Sequence, residues 1–350
     1  MDNDNTSSRE AAVHLPDMEK LVVSSSPHMH SGEDITRVML MVILALVPAC
    51  LCGIYFFGIG ALWVLLLCTA SCVGFEAFFC KLAHKPNTVP DLSAALTGIL
   101  LGMNLSASSP WWICVLGAFI AMGLGKHIYG GLGYNPFNPA LVARVALLIA
   151  FPGHLTTWVA PRGATAAGAA LTAASDGVST ATPLYAVPQA LQQGGEVTYE
   201  YMSYFLGRIG GCIGETSALA LLIGGLFLIA LKLIRWQVPV AFIGTVAGLT
   251  ALIQFVSPET QPTPLFHMLT GGLFLGAFFM ATDMVTSPMT RRGAIVFGVG
   301  CGVITTAIRA WGVYPEGVSF SILFMNALTP FIDRYSSRKP FGIAKRKDKK

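Results

Sequence analysis

The sequence predicts an all-α integral membrane protein of about ten transmembrane helices, built as two inverted-topology five-helix repeats with broken helices at the midplane. Three observations carry that prediction. Only 11% of the 350 residues are charged while 54% are hydrophobic, with a mean hydropathy of +0.64; soluble domains carry about 25% charged side chains, so this supply cannot build a water-facing exterior. Lys and Arg fall in alternate connections between the apolar runs. A Leu-Thr-Gly string recurs, as Leu96 to Gly102 and as Leu269 to Gly276. Soluble enzymes, nucleic-acid binders and secreted disulfide scaffolds are thereby excluded. The 37 glycines and 20 prolines fit membrane helices, where both are commoner than in soluble ones.

Residues 1–36 read as a cytoplasmic polar arm, rich in acids (Asp2, Asp4, Glu10, Asp17, Glu19, Glu33, Asp34) and without the apolar run of a cleavable signal. Apolar segments at 37–58, 59–80, 92–107, 111–129 and 139–152 form a first membrane repeat over 37–152. A long connection, 153–208, is rich in Ala, Gly and Thr, shows no clear helix or strand period, and at that length is expected to be functional. Segments at 209–231, 238–256, 265–282, 293–311 and 318–333 form the second repeat over 209–333. A straight crossing takes about 20 residues, so the third, fifth and tenth look short. The basic tail, 334–350, reads as a solvated flank facing anionic membrane lipid rather than a nucleic-acid site.

Orientation follows from the basic residues. Lys81 and Lys85, Lys126, Lys232 and Arg235, Arg291 and Arg292, and the tail mark one side, while the connections around Phe57, Ser106 to Pro110, Ser257 to Pro264 and Gly312 to Gly317 contain neither Lys nor Arg. The positive-inside rule then places both termini in the cytoplasm and the 153–208 connection outside. Trp111, Trp112, Trp158, Trp236 and Trp311 fall near predicted span ends, as interfacial anchors do. The eight cysteines lie in or beside apolar runs and read chiefly as small hydrophobes, although Cys50 with Cys52 and Cys68 with Cys72 leave a metal reading open.

Opposed repeats place a ligand site where the halves meet. Asn135, Pro136, Phe137, Asn138, Pro139 read as a helix interruption: two prolines remove backbone donors, and two side-chain amides can replace them at membrane depth. That stretch either holds the fold as a re-entrant turn or, with Asp283 and Thr286 opposite, lines a ligand or ion pathway. Glu76, Arg144, Glu215, Asp283 and Arg309 are ionisable groups in or near spans and are functional candidates by default. Arg144 and Glu215 flank the external connection and are placed to pair with each other or to hold a phosphate; Glu76 is placed to snorkel. The histidines are scattered, which argues against a metal site.

The string Asp176, Gly177, Val178, Ser179, Thr180, Ala181, Thr182, Pro183, Leu184 is the most specific feature. Read bottom-up it is a Ser/Thr-rich turn with an acid able to bond its own backbone. With Ser26-Pro27-His28, Gly125-Lys126-His127, Tyr134 to Ala140, Thr282-Asp283 and Thr286-Ser287-Pro288, it resembles the RnfD/NqrB family: D subunits of Rnf ion-translocating electron transport complexes and B subunits of sodium-pumping NADH:quinone oxidoreductases. The resemblance spans nearly the whole chain beyond the first 25 residues.

It implies that Thr182 carries FMN through a phosphoester in an exposed, flexible loop, with Asp176, Ser179 and Thr180 in the attachment signal. Thr180 stands where many such signals have Gly or Ala and is a rival acceptor. A noncovalent riboflavin is implied as a second guest, with Asn135, Asn138, Asp283 and Thr286 as candidate contacts. The implied function is a flavoprotein subunit of a bacterial inner-membrane complex, carrying electrons between ferredoxin and NAD branches coupled to sodium or proton translocation. Its implied partners are the other Rnf subunits (A, B, C, E and G) and a flavin transferase. A channel or transporter without redox role, built on the same inverted repeat, is the competing reading, and a scaffold for neighbouring subunits is a third.

Overall fold

In the computed structural model the described residues are 34–161, 179–180, 182–193, 199–258, 261–312, 314 and 316–336. Most of the expected polar arm and basic tail, together with Asp176, lie outside them. The described chain is mostly helical. Helices α1 (Ile35–Phe57) and α2 (Ile59–Leu82) are followed by the short α3 (Ser93–Met103), then α4 (Trp111–Gly123) and the short α5 (Pro139–Ala150). After the long connection come α8 (Ala218–Ala230), α9 (Gln237–Val256), the one-and-a-half-turn α10 (Pro264–Leu269), α11 (Leu273–Leu275), α12 (Arg291–Trp311) and α13 (Val318–Ser336). Five helical segments, 35–57, 59–82, 111–129, 237–256 and 291–311, are long and apolar enough to cross a membrane. The protein is a membrane protein.

The third and fifth segments are short, as expected. The tenth is not: α13 runs 19 residues, because polar Asn326, Thr329 and Asp333 shorten the apolar run without stopping the helix. The interrupted segment is the eighth. There Gly271 takes φ +70°, a left-handed conformation open to glycine, and separates α10 from α11, which continues as a π-helical turn over Gly276–Met280. The Leu-Thr-Gly string thus occupies a continuous helix in the first half and a broken one in the second.

Packing runs in two parallel sets. Helix α2 packs on α3 and α4, and α4 on α5; α9 packs on α10 and α12, and α12 on α13; α1 lies against α8. Small residues permit the close crossings. A Cβ added at Gly98 would fall 2.5 Å from Thr69 Cα on α2, so α3 can approach only as glycine. Trp111, Trp236 and Trp311 are exposed at or beside helix ends, fitting interfacial anchors, whereas Trp158 is buried. All eight cysteines are free, six of them buried in the core.

The 153–208 connection is not structureless. It holds a turn at Pro152–Leu155, a two-residue antiparallel ladder of β1 (Trp158–Val159) with β2 (Ser179–Thr180), and helices α6 (Pro183–Gln192) and α7 (Tyr201–Leu206). Its apolar period is hidden because α6 and α7 are short and bury only Leu184, Val187 and Tyr204, with Ile209, against Phe266 of α10. Burial raises the Tyr204 phenol above its ordinary range, so it stays neutral in this cluster.

Replacing Gly98 by Ala is expected to destabilise the detergent-solubilised protein by about 1–3 kcal/mol through overpacking, read as a lower thermal midpoint. Gly248→Ala, where an added Cβ meets nothing within 4 Å, serves as the control and should leave the midpoint unchanged or raised.

Candidate functional site

Three polar centres interrupt the apolar core. The first is a cavity between the halves, lined by Val38 and Val42 of α1, Ser93 and Thr97 of α3, Lys126, Asn135, Asn138, and Phe278, Thr282 and Asp283 after the break in the eighth segment. The predicted interruption is present. Asn138 caps α5 by accepting from the Ala140 amide at 3.1 Å, and its Nδ2 donates to the Met280 carbonyl at 3.4 Å. That second bond joins the two halves. Asn135 Nδ2 donates to the Phe137 carbonyl at 3.0 Å, while its buried Oδ1 finds no donor. Asn135, Asn138 and Asp283 therefore meet at one cavity. Thr286 does not line it; its hydroxyl stands behind, donating to Asp283 Oδ2 at 3.2 Å.

Beside this cavity, fully buried Glu76 of α2 accepts from Lys126 Nζ at 2.6 Å and from the Thr88 hydroxyl, and shares a 2.8 Å bond with His127 Nε2. Lys126 also donates to Ser93 Oγ at 3.0 Å. One expectation is corrected here: Glu76 does not snorkel, and Lys126, counted in a connection for orientation, is buried with it at 2% exposure. The cause is mutual: an ion pair with its remaining lone pairs filled is tolerable away from water, and neither charge alone is. Glu76, Cys80 and His127 also offer ligand-type atoms within 4.8 Å of one another, but the Lys126 ammonium already sits on that carboxylate.

The second centre lies between the C-terminal end of α3 and the middle of α5. Arg144 pairs with Glu316, and its Nη2 lies 3.9 Å from Glu215 Oε1. The same guanidinium donates to the Asn104 carbonyl at 2.5 Å and to Asn104 Oδ1 at 2.8 Å, and approaches Cys212 Sγ at 3.3 Å. The expected Arg144–Glu215 neighbourhood is present. Its stronger member, Glu316, is not legible in sequence, because a lone Glu in a short connection gives no periodic signal; Asn104 and Cys212 are equally hidden.

The third centre is Thr182. The hydroxyl is not in an exposed loop: Thr182 is 4% exposed, directly before Pro183 at the head of α6. Its carbonyl accepts from the Tyr185 and Ala186 amides at 2.9 and 3.0 Å, and its side chain makes no capping bond. Burial of Leu184 and Val187 against α10 draws Thr182 inward. Ser179 and Thr180 form the adjacent β2. Asp176 lies outside the described residues, and the structure does not choose between Thr180 and Thr182 as acceptor.

Residues 22–342 match the family described as NQR2, RnfD, RnfE. The chain belongs to this family. It is 44% identical over 329 residues, 93% of this chain and 96% of the relative, to the D subunit of the Na(+)-translocating ferredoxin:NAD(+) oxidoreductase complex of Acetobacterium woodii. It is 45% identical over 326 residues, 91% and 96% of the two chains, to the D subunit of the proton-translocating ferredoxin:NAD(+) oxidoreductase complex of Clostridium ljungdahlii. It is 38% identical over 348 residues, 92% and 99%, to the D subunit of the ion-translocating oxidoreductase complex of Escherichia fergusonii.

Glu76→Gln is expected to cost about 3–5 kcal/mol by leaving Lys126 buried without its counter-charge, seen as loss of monodisperse protein on heating. The double variant Glu76→Gln, Lys126→Met should recover most of that loss. Equal stability of the two variants would mean the pair is not coupled.

Proposed function

We propose that this protein is the D-type subunit of an ion-translocating ferredoxin:NAD oxidoreductase in a bacterial cytoplasmic membrane, and that it holds two flavins: FMN joined to Thr182 and noncovalent riboflavin in the cavity at Asn135, Asn138 and Asp283. The names of relatives matched over more than nine-tenths of this chain support the complex. The flavin reading is carried by Thr182, a buried hydroxyl not used as a helix cap, at the end of the attachment-like string. The ten-helix inverted repeat is part of the same reading. It is supported by the matched packing of α2, α3, α4 and α5 with α9, α10, α12 and α13, and by the two Leu-Thr-Gly segments occupying equivalent third places in the two sets.

The residues present fit the groups proposed for them. In the cavity, apolar walls from α1 and Phe278 offer a planar guest two faces, and the unpartnered Asn135 Oδ1 offers an acceptor to a ring N–H. Lys126, neutralised by Glu76, adds little net charge there, which leaves Asp283 as the carboxyl group facing a guest. Thr182 immediately precedes the first turn of α6, whose positive end suits a phosphate attached nearby. A bound flavin supplies the redox chemistry; the chain anchors it, excludes water and holds the two positions on opposite faces of one rigid core. Because Thr182 is buried, the flavin transferase must act before α6 packs or on a state in which it has lifted.

Produced with a flavin transferase, the protein band on a denaturing gel should fluoresce under ultraviolet light, and the Thr182→Val band should be dark. An intact band that stays dark despite the transferase removes the covalent flavin and leaves the channel reading in its place; a fluorescent Thr182→Val band moves the acceptor to Thr180. Asn135→Leu should lower the flavin released by acid from the purified protein at least about tenfold, the cost of one lost charge-neutral hydrogen bond plus the added bulk in the cavity, while leaving the gel fluorescence intact.

A further inference from the structure

Among the described residues two buried basic side chains have carboxylate partners: Lys126 has Glu76, and Arg144 has Glu316 with Glu215 near. Arg309, in the last turn of α12, differs. Its Nη1 donates to the His267 carbonyl at 2.6 Å and its Nη2 to the Thr270 carbonyl at 3.2 Å. These bonds satisfy carbonyls left open where α10 stops. They leave the charge itself without an ion pair among the described residues, and Nε is buried with no acceptor.

The surroundings of that charge are specific. A Cβ added at Gly271 would meet Arg309 Nη2 at 2.7 Å and Leu184 Cδ2 at 3.1 Å, so guanidinium and Leu184 converge on the same glycine. Leu184 is in the first turn of α6, two residues after Thr182. A positive helix end and a guanidinium with no carboxylate in ion-pair contact thus approach each other, and an anion placed between them would relieve their repulsion. Glu215 attracts this guanidinium only from a distance: its Oε1 lies beyond Gly272, 3.6 Å from where a Cβ there would stand, outside ion-pair distance of Arg309 and nearer Arg144.

The two halves sharpen the contrast. Lys126 follows α4 and reaches back to Ser93 at the start of α3; Arg309 ends α12 and reaches back to the α10–α11 break. One is neutralised by a carboxylate of its own half and the other is not.

We propose that Arg309 is the charge partner of the phosphate carried on Thr182, a positioning residue that holds α6 closed over the broken eighth segment once the flavin is attached. This rests on the reading of Thr182 as the flavin position, and the test separates the two. In the purified complex, amide hydrogen exchange of the α6 peptide is compared for the intact protein, Thr182→Val, Arg309→Gln, Arg309→Lys and the Thr182→Val, Arg309→Gln double variant, with gel fluorescence recorded for each. The attached flavin should slow α6 exchange about tenfold when Arg309 is present, the size of one charge-assisted hydrogen bond, and should not slow it in Arg309→Gln. Arg309→Lys should restore part of the protection, since it keeps the charge.

A role confined to capping α10 predicts additive effects, with the flavin's protection the same in Arg309→Gln as in the intact protein; that result overturns the proposal. A complex in which Arg309→Gln is dark and Arg309→Lys fluorescent supports it, through a need for the charge in loading. Darkness in both, with the protein still assembled in the complex, overturns it. A dark intact protein removes the flavin reading and this inference together.

Discussion

At membrane depth no water replaces a missing hydrogen-bond partner, and every departure from continuous helix must satisfy its own polar groups. Among the described residues three such departures are closed by side chains. The Asn135–Asn138 stretch is closed by its own amides. The end of α3 is closed by Arg144, which takes both the carbonyl and the side chain of Asn104. The break after α10 is closed by Arg309. The residues that make the breaks tolerable are the same ones that line the candidate sites, so site and scaffold cannot be separated by mutation without attention to which bond is lost.

The breaks are also where the two halves touch. Asn138 reaches the Met280 carbonyl of the π-helical turn. A π turn leaves its carbonyls displaced from the regular i→i−4 pattern, and such turns concentrate at functional positions. Here the displaced ladder leaves the Met280 carbonyl available to a side chain of the other half. Glu316 and Arg144 make the corresponding joint at the opposite end of the core. Helices of ordinary length supply the lipid-facing mass around these joints, with exposed Leu, Val and Phe side chains on α1, α8 and α9.

Much of this is legible in the sequence because it rests on patterns the chain must display. Membrane class follows from the shortage of charge, and the shortness of α3 and α5 follows from counting residues between turn signals. The proline–asparagine interruption announces its own hydrogen bonding. What stays hidden is pairwise and distant. Glu76 and Lys126 are 50 residues apart, and a sliding window scores each only as a charge near a span end, where snorkelling is the ordinary outcome. Glu316 sits in a connection that nothing marks. The burial of Thr182 escapes a sequence reading because α6 and α7 are too short to show a period, although their few buried side chains suffice to pack the segment on Phe266.

The charge state of each site argues for the kind of guest it takes. A buried cation with its carboxylate attached presents a dipole, weakly attractive to any one charge; a buried cation lacking that carboxylate presents a field that falls off slowly in a low dielectric. Evolving a pair costs one further residue, and the first half has it in Glu76. In the second half the acid within reach, Glu215, is held toward Arg144 across Gly272. The second half therefore keeps a guanidinium whose nearest carboxylate stands outside ion-pair contact, on the side where α6 begins. On the proposed reading a neutral ring system suits the first site and a phosphate-bearing one the second, and the difference follows from how closely each cation is held by a carboxylate.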